Sequence, residues 1–162
     1  MGLGLNEKYD SLIFPATHYV YIEKIGPFQE TAPKAWQEIH QFKEAIASLG
    51  GSITGVFSMY KVESQLYRAG FAVAEKPTLS LPEPVRYTYF EGGPYLRFVL
   101  TGSYMQLPKA CGRVFEIVKK SRLETSDNFY LENYVNDPYI TPESELKTEI
   151  LIPTTQASVS AL

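Results

Sequence analysis

The chain holds one cysteine, Cys111, and only two histidines, His18 and His40, among its 162 residues. A single thiol excludes an intramolecular disulfide and a thiolate metal cage. The histidines are far apart and belong to no metal-ligand spacing, so neither a metal nor a cofactor is expected. Gly92-Gly93 lacks the further glycines and the lysine of a phosphate loop and reads as a turn. Positive charge is not in excess either: 15 Lys and Arg against 18 Asp and Glu leave a net charge of −3. An acidic chain has no general grip on a phosphate backbone, and no nucleic acid is expected as a direct partner. No apolar run approaches the roughly 20 residues of a membrane span. The first residues, MGLGLNEKYD, lack the basic and apolar regions of a secretory signal, and Asn6 stands where myristoylation needs Ser or Thr. A cytoplasmic protein without membrane contact is the resulting expectation.

Aromatic residues, by contrast, are plentiful, with twelve Tyr, nine Phe and one Trp. Each Tyr is an apolar ring with a polar tip, which suits an aromatic-lined site better than a dry core alone. The chain also repeats itself. Residues 19–28 align without gaps on residues 95–104, 76 positions later, and the match continues from Ala35, Ile39 and Phe42 onto Cys111, Phe115 and Val118. Small shifts set Val56–Tyr60 on Tyr130–Tyr134 and Gly70–Ala74 on Glu149–Pro153.

Each repeat reads strand, helix, strand, strand. Alternation over 18–25 predicts the first strand, ended by Gly26-Pro27. Thr31 is the expected N-cap, with Pro33 in the first turn. Ala35, Ile39, Phe42, Ile46 and Leu49 then follow at helical spacing up to Gly50-Gly51. Residues 53–61 and 68–74 predict a hairpin. The second repeat has a strand at 94–102, a helix carrying Leu107, Cys111, Val114, Phe115 and Val118, and a hairpin at 128–135 and 146–152. The fold expected is α+β, one domain over 1–162. Two pseudo-twofold-related βαββ repeats (17–74 and 85–154) join through a proline-rich linker at 75–84, with a strand at 85–91 and a frayed tail at 155–162. They share a curved antiparallel sheet, with both helices on one face and a ligand cleft on the other.

Strand alternation sorts the side chains. Val20, Ile22, Phe57, Leu96, Phe98, Phe129, Leu131, Ile150 and Ile152 are expected beneath the helices. Tyr19, Tyr21, Ser58, Tyr60, Tyr95, Tyr130, Glu132 and Tyr134 are expected on the open face. A carboxylate amid so many rings reads as a binding groove: a partly desolvated Glu132 has a raised pKa, and a bound cation relieves the cost of burying it. Trp36 is read as core packing or cleft rim. Glu149 reads as a structural hydrogen-bonding group, Glu23 and both histidines as solvated, and Cys111 as an inert core residue.

The stretches Gly-Ser-Tyr (102–104), Tyr-Leu-Glu-Asn-Tyr-Val-Asn-Asp-Pro (130–138) and Glu-Leu-Lys-Thr-Glu-Ile-Leu-Ile-Pro (145–153) resemble the GyrI-like effector-binding domain. That domain is the ligand-sensing half of many AraC-type and MerR-type transcription regulators, and also stands alone. The resemblance covers about residues 17–154. It implies two βαββ repeats around a cleft for lipophilic, often cationic compounds, with the family's acidic residue falling on Glu132. Fewer than twenty residues precede the strand at 18–25, too few for a helix-turn-helix, which reads against direct DNA binding.

The function expected is therefore a stand-alone protein that senses or sequesters lipophilic, often cationic small molecules. The ligand-binding residues are Glu132, Tyr130, Tyr134, Tyr19, Tyr21, Tyr60, Tyr95 and Trp36. Two alternatives remain. One is hydrolysis of small lipophilic compounds such as the cyclopropane-containing substrates of some relatives, with Glu132 as the catalytic carboxylate. The other is a protein-binding role toward a separate regulator or gyrase.

Overall fold

A computed structural model of the chain describes residues 2–155. The chain forms two compact units, Pro15–Gly92 and Met1–Phe14 with Gly93–Leu162, each taken over its described residues. Eight strands and three α-helices are distributed between them: β1 (Leu5–Phe14), β2 (Thr17–Ile25), α1 (Phe28–Gln41), α2 (Lys43–Gly50), β3 (Ile53–Lys61), β4 (Leu66–Val73), β5 (Arg86–Phe90), β6 (Gly93–Thr101), α3 (Leu107–Lys120), β7 (Tyr130–Tyr134) and β8 (Lys147–Pro153).

In the first unit the strands run β5-β2-β4-β3, all antiparallel. The second has the same plan, β1-β6-β8-β7. The βαββ repeat read from the sequence is thus the core of each unit, with one edge strand added to each. These edge strands move the boundary. Residues 86–90, expected to open the second repeat, pair with β2 of the first unit. The second unit takes β1 instead, a strand absent from the sequence expectation. Its sequence, LNEKYDSLIF, is mostly exposed and bulged between Asn6 and Asp10, so it lacks the alternation that marks a half-buried strand. Charged side chains on such an edge discourage further pairing. Two of them tie β1 down: Asp10 accepts from Arg97 of β6, and Glu7 accepts at 2.8 and 2.9 Å from Arg113 of α3.

The first helix begins earlier than expected and breaks. Thr31 is not the N-cap: the helix starts at Phe28 after Pro27, and the Thr31 hydroxyl donates to the Pro27 carbonyl at 3.2 Å. A β-branched hydroxyl one turn inside a helix finds the i−4 carbonyl readily. At Phe42 the N–H turns back three residues to Ile39, at 3.0 Å, which separates α1 from α2. The apolar stripe survives the break, with Ala35, Ile39 and Ile46 buried. Gly51, at φ +77°, ends α2 in a backbone conformation that side chains other than glycine's resist.

The sheet faces differ from the expected sorting in one respect. Residues directly opposite in an antiparallel ladder share a face. Tyr21 lies opposite Gly70, and Gly70 opposite Phe57, so Phe57 belongs with Tyr19 and Tyr21 on the face away from the helices. Tyr19 stacks on Phe57 at 4.5 Å and on Tyr21 at 5.5 Å. By the same pairing Ser58 and Tyr60 lie on the helix face, where Phe28 meets Tyr60 at 5.5 Å. In the second unit Leu131 lies opposite Leu151 and Glu132 opposite Ile150. This puts Glu132, Tyr130 and Tyr134 on the helix face, with Leu131 and the adjoining Phe129 on the other. Val20, Ile22, Leu96, Phe98, Ile150 and Ile152 are on the helix side, as expected, and in the second unit they form a core with Ala110 and Val114.

Tyr19 and Tyr95 are matching struts. Both are fully buried, and their hydroxyls donate at 2.7 Å to the carbonyls of Phe57 and Phe129. Burial pushes both phenol pKa values up. Tyr19→Phe removes a buried donor and is expected to cost about 1 kcal/mol of stability, measured by urea denaturation.

Candidate functional site

The second unit assembles a polar cluster on an otherwise apolar helix face. Glu132 is half-buried at the centre of β7. Its Oε2 accepts from the Cys111 thiol on α3 at 3.2 Å, and its Oε1 accepts from the Tyr134 hydroxyl at 3.0 Å. Burial raises the Glu132 pKa above its ordinary 4.5, and the bonds from Cys111 and Tyr134 pull the other way without cancelling it. Among the described residues no Lys or Arg pairs with this carboxylate. Around it, Tyr104 meets Tyr134 edge-on at 5.4 Å and Phe115 meets Tyr130 at 5.5 Å.

The placement follows from local sequence. In β7 the residues at 130, 132 and 134 share one face by strand alternation. On α3, Cys111 lies on the stripe of Leu107, Val114 and Val118 that packs on the sheet, which brings its thiol down onto β7. Cys111 is therefore a hydrogen-bond donor to the carboxylate, not an inert core residue. Tyr104 arrives on a single 3₁₀ turn before α3, which Ser103 caps by accepting from the Met105 N–H at 3.1 Å.

The expected site residues separate into groups. Glu132, Tyr130 and Tyr134 come together as described. In the first unit Tyr60 and Tyr67 stack at 6.4 Å on the helix face, and the Trp36 indole N–H donates to the Tyr67 hydroxyl at 2.8 Å. Trp36 is half-buried and also meets Phe71 at 6.4 Å, so it packs while keeping an open edge. The position equivalent to Glu132 is Ser58 there, without a charge. Tyr19, Tyr21 and Tyr95 lie on the opposite face, buried.

Two charged clusters occupy that opposite face. Arg68 sits over the Tyr21 ring at 4.4 Å and pairs with Glu23 at 2.9 Å, so Glu23 is paired and half-buried, not solvated. In the second unit Glu149 accepts from Arg97 at 3.1 Å and from Asn133 at 2.8 Å, the structural role expected of it. Of the histidines, His40 is exposed, whereas His18 is half-buried with its Nδ1 2.8 Å from the Tyr87 hydroxyl.

Sequence reasoning missed Cys111 and Tyr104 as neighbours of this cluster. Tyr104 is in the Gly-Ser-Tyr stretch and Cys111 on the helix stripe, so both signals were present in the pattern. Tyr134→Phe removes a donor that lowers the Glu132 pKa, so that pKa is expected to rise further. An NMR titration of the Glu132 carboxyl carbon in the variant and in wild type measures that shift.

Among the described residues no group of three or more His, Cys, Asp or Glu converges as a metal site, and no helix is long and apolar enough to cross a membrane. No curated protein matches the chain. Several solved structures share its fold. The EcmrR C-terminal domain matches with a TM-score of 0.71 at 17% identity, covering 90% of this chain and 96% of that one. SAV2435 bound to tetraphenylphosphonium matches with a TM-score of 0.70 at 16% identity, over 93% and 96%. A hydrolase from Listeria innocua matches with a TM-score of 0.55 at 12% identity, over 91% and 92%. The profile of the GyrI-like small molecule binding domain matches residues 8–155, and the chain belongs to that family.

Proposed function

We propose that this domain binds lipophilic cations on the helix face of the second unit's sheet, with Glu132 as the counter-charge. The observation that carries this is the half-buried Glu132 carboxylate, which is held by two neutral donors and pairs with no cationic side chain among the described residues. A buried carboxylate left so is costly, and a bound cation supplies the missing charge. Tyr130 and Tyr134 offer rings beside it, each worth about 0.5–2 kcal/mol over a cation. Tyr60 and Trp36 offer the corresponding aromatic surface of the first unit, while Tyr19, Tyr21 and Tyr95 hold the sheets. The fold-sharing SAV2435, which was solved with a lipophilic cation bound, supports the same reading.

The test is a fluorescence titration with tetraphenylphosphonium across pH. A permanent cation does not titrate, so its affinity should rise as pH rises through the elevated Glu132 pKa and then level off. Affinity independent of pH between 4 and 8 would overturn the reading. A second reading uses the same raised pKa and the thiol and phenol donors beside it, with Glu132 as a general acid–base in hydrolysis. Product formed from ester-like or strained lipophilic substrates, and lost in Glu132→Gln, would establish it.

A further inference from the structure

The hydroxyl of Tyr134 reaches Glu132 at 3.0 Å, and the ring that carries it is met edge-on by Tyr104, with centroids 5.4 Å apart and planes at 65°. Tyr104 is itself held firmly. The turn Tyr104–Gln106 follows Gly102, whose φ of +126° suits glycine and whose N–H donates to the Leu146 carbonyl at 2.8 Å. Ser103 caps that turn, and the Gln106 side chain fastens its far end by accepting from the Gly4 N–H at 3.0 Å. The Tyr104 hydroxyl, by contrast, is buried without a hydrogen-bond partner, so the contact with Tyr134 is made by the ring alone. The first unit repeats the arrangement. Gly26 has φ +144°, and Phe28 two residues later meets Tyr60 edge-on at 5.5 Å and 72°. A phenylalanine in that place shows that the pairing needs a ring and no hydroxyl. Only in the second unit does the residue two before the buttressed ring carry a carboxylate, Glu132 against Ser58.

We infer that Tyr104 is a positioning residue for Glu132: its ring fixes the Tyr134 ring, and thereby keeps the Tyr134 hydroxyl on the carboxylate. As a statement about binding this rests on the proposed cation site, but the geometry it uses is that of the free protein. Edge-to-face rings hold one another in a defined orientation. Tyr134 is half-buried, so without that edge its phenol has room to turn away and bond to water instead. Glu132 then loses, for part of the time, one of the two donors that favour its ionised form. The Tyr104 hydroxyl has no part in this, which accounts for its lacking a partner.

The test is a double-mutant cycle read by NMR titration of the Glu132 carboxyl carbon in the ligand-free protein. Tyr104→Phe should titrate as wild type does. Tyr104→Leu keeps apolar bulk but removes the ring edge, and should raise the protonation constant of Glu132 about threefold. In a Tyr134→Phe background the same Leu substitution should change nothing, because the hydroxyl it controls is gone. Altered water access acts in both backgrounds and cancels in the difference, and Asp137, whose charge acts on Tyr104, stays in every variant. Gln106→Ala is the second route, should Tyr104→Leu fold poorly. It loosens the turn without touching either ring, and should raise the constant only where the Tyr134 hydroxyl is present. The inference is overturned if the ring-edge and turn variants titrate as wild type, if their shifts are equal in the two backgrounds, or if Tyr104→Phe behaves like Tyr104→Leu. A tetraphenylphosphonium titration of the same proteins separates the two claims. Coupling with no cation binding sinks the cation site and leaves the positioning role, whereas cation binding without coupling sinks the positioning role alone.

Discussion

Glu132→Gln should weaken the binding of lipophilic cations by about 2 kcal/mol or more, roughly thirtyfold, and leave neutral analogues of the same shape unaffected. The substitution keeps volume and one acceptor oxygen, and its NH₂ faces a group that must turn to accept, so Cys111 and Tyr134 retain a polar neighbour while the charge disappears. Binding energy from rings and apolar burial remains, which is why affinity falls without vanishing. The same variant should change the stability of the ligand-free protein in the opposite direction. The Glu132 pKa is raised in the folded state, so folding disfavours its ionised form. That cost is fully present above the folded pKa, fades as pH falls through it, and is gone below the ordinary 4.5 of the unfolded chain. Glu132→Gln should therefore melt higher than wild type near pH 8, and the gap should close as the solution is acidified. A site that gives up stability for binding is expected to show this pair of effects. Thermal melts from pH 4 to pH 8 check it, and a Gln variant less stable than wild type at pH 8 counts against the account.

The largest effect on the fold should come from Gly70→Ala. A Cβ at Gly70 would stand 2.5 Å from the Val20 carbonyl oxygen, 2.6 Å from Tyr19 Cζ and 2.8 Å from its hydroxyl. Neither obstacle yields easily. The carbonyl belongs to the β2 backbone, and the Tyr19 ring is clamped between Phe57 and Tyr21 with its hydroxyl bonded. Relief requires moving β2 away from β4 or expelling the ring. Overpacking of a core typically costs about 1–3 kcal/mol, and with backbone in the way the upper end or beyond is expected. Urea denaturation measures it, and a midpoint equal to wild type would show that the Tyr19 strut is not the rigid element described. At the second unit's equivalent position stands Leu151, opposite both Arg97 and Leu131, so the constraint belongs to the first unit alone.

The repeat, the helical segments and seven of the eight described strands were legible because each carries a pattern of its own, although the strand at 85–91 was assigned to the wrong repeat. Ile53–Lys61 matches the expected hairpin strand at both ends. What the sequence left open was phase between strands. Alternation states that Phe57 and Ser58 point in opposite directions, and the same for Leu131 and Glu132. It does not say which of the pair joins Val20 or Leu96, because a helix intervenes between the two strands of each repeat. Only the ladder, Phe57 to Gly70 to Tyr21, settles it. The consequence is large for function: Glu132 moved from an open sheet face to a place beneath α3, against Cys111. β1 was illegible for another reason, since an exposed edge strand has one neighbour and needs little apolar pattern. The Arg97–Asp10 pair that secures it spans 87 residues, beyond the reach of any local signal.

The most direct test of the central claim follows the Glu132 carboxyl carbon by NMR through a pH titration, with and without tetraphenylphosphonium. The account predicts a pKa above 4.5 in the free protein and a clear fall on binding, because the cation favours the ionised carboxylate. A Glu132 that titrates in the ordinary range and is indifferent to the cation would contradict it.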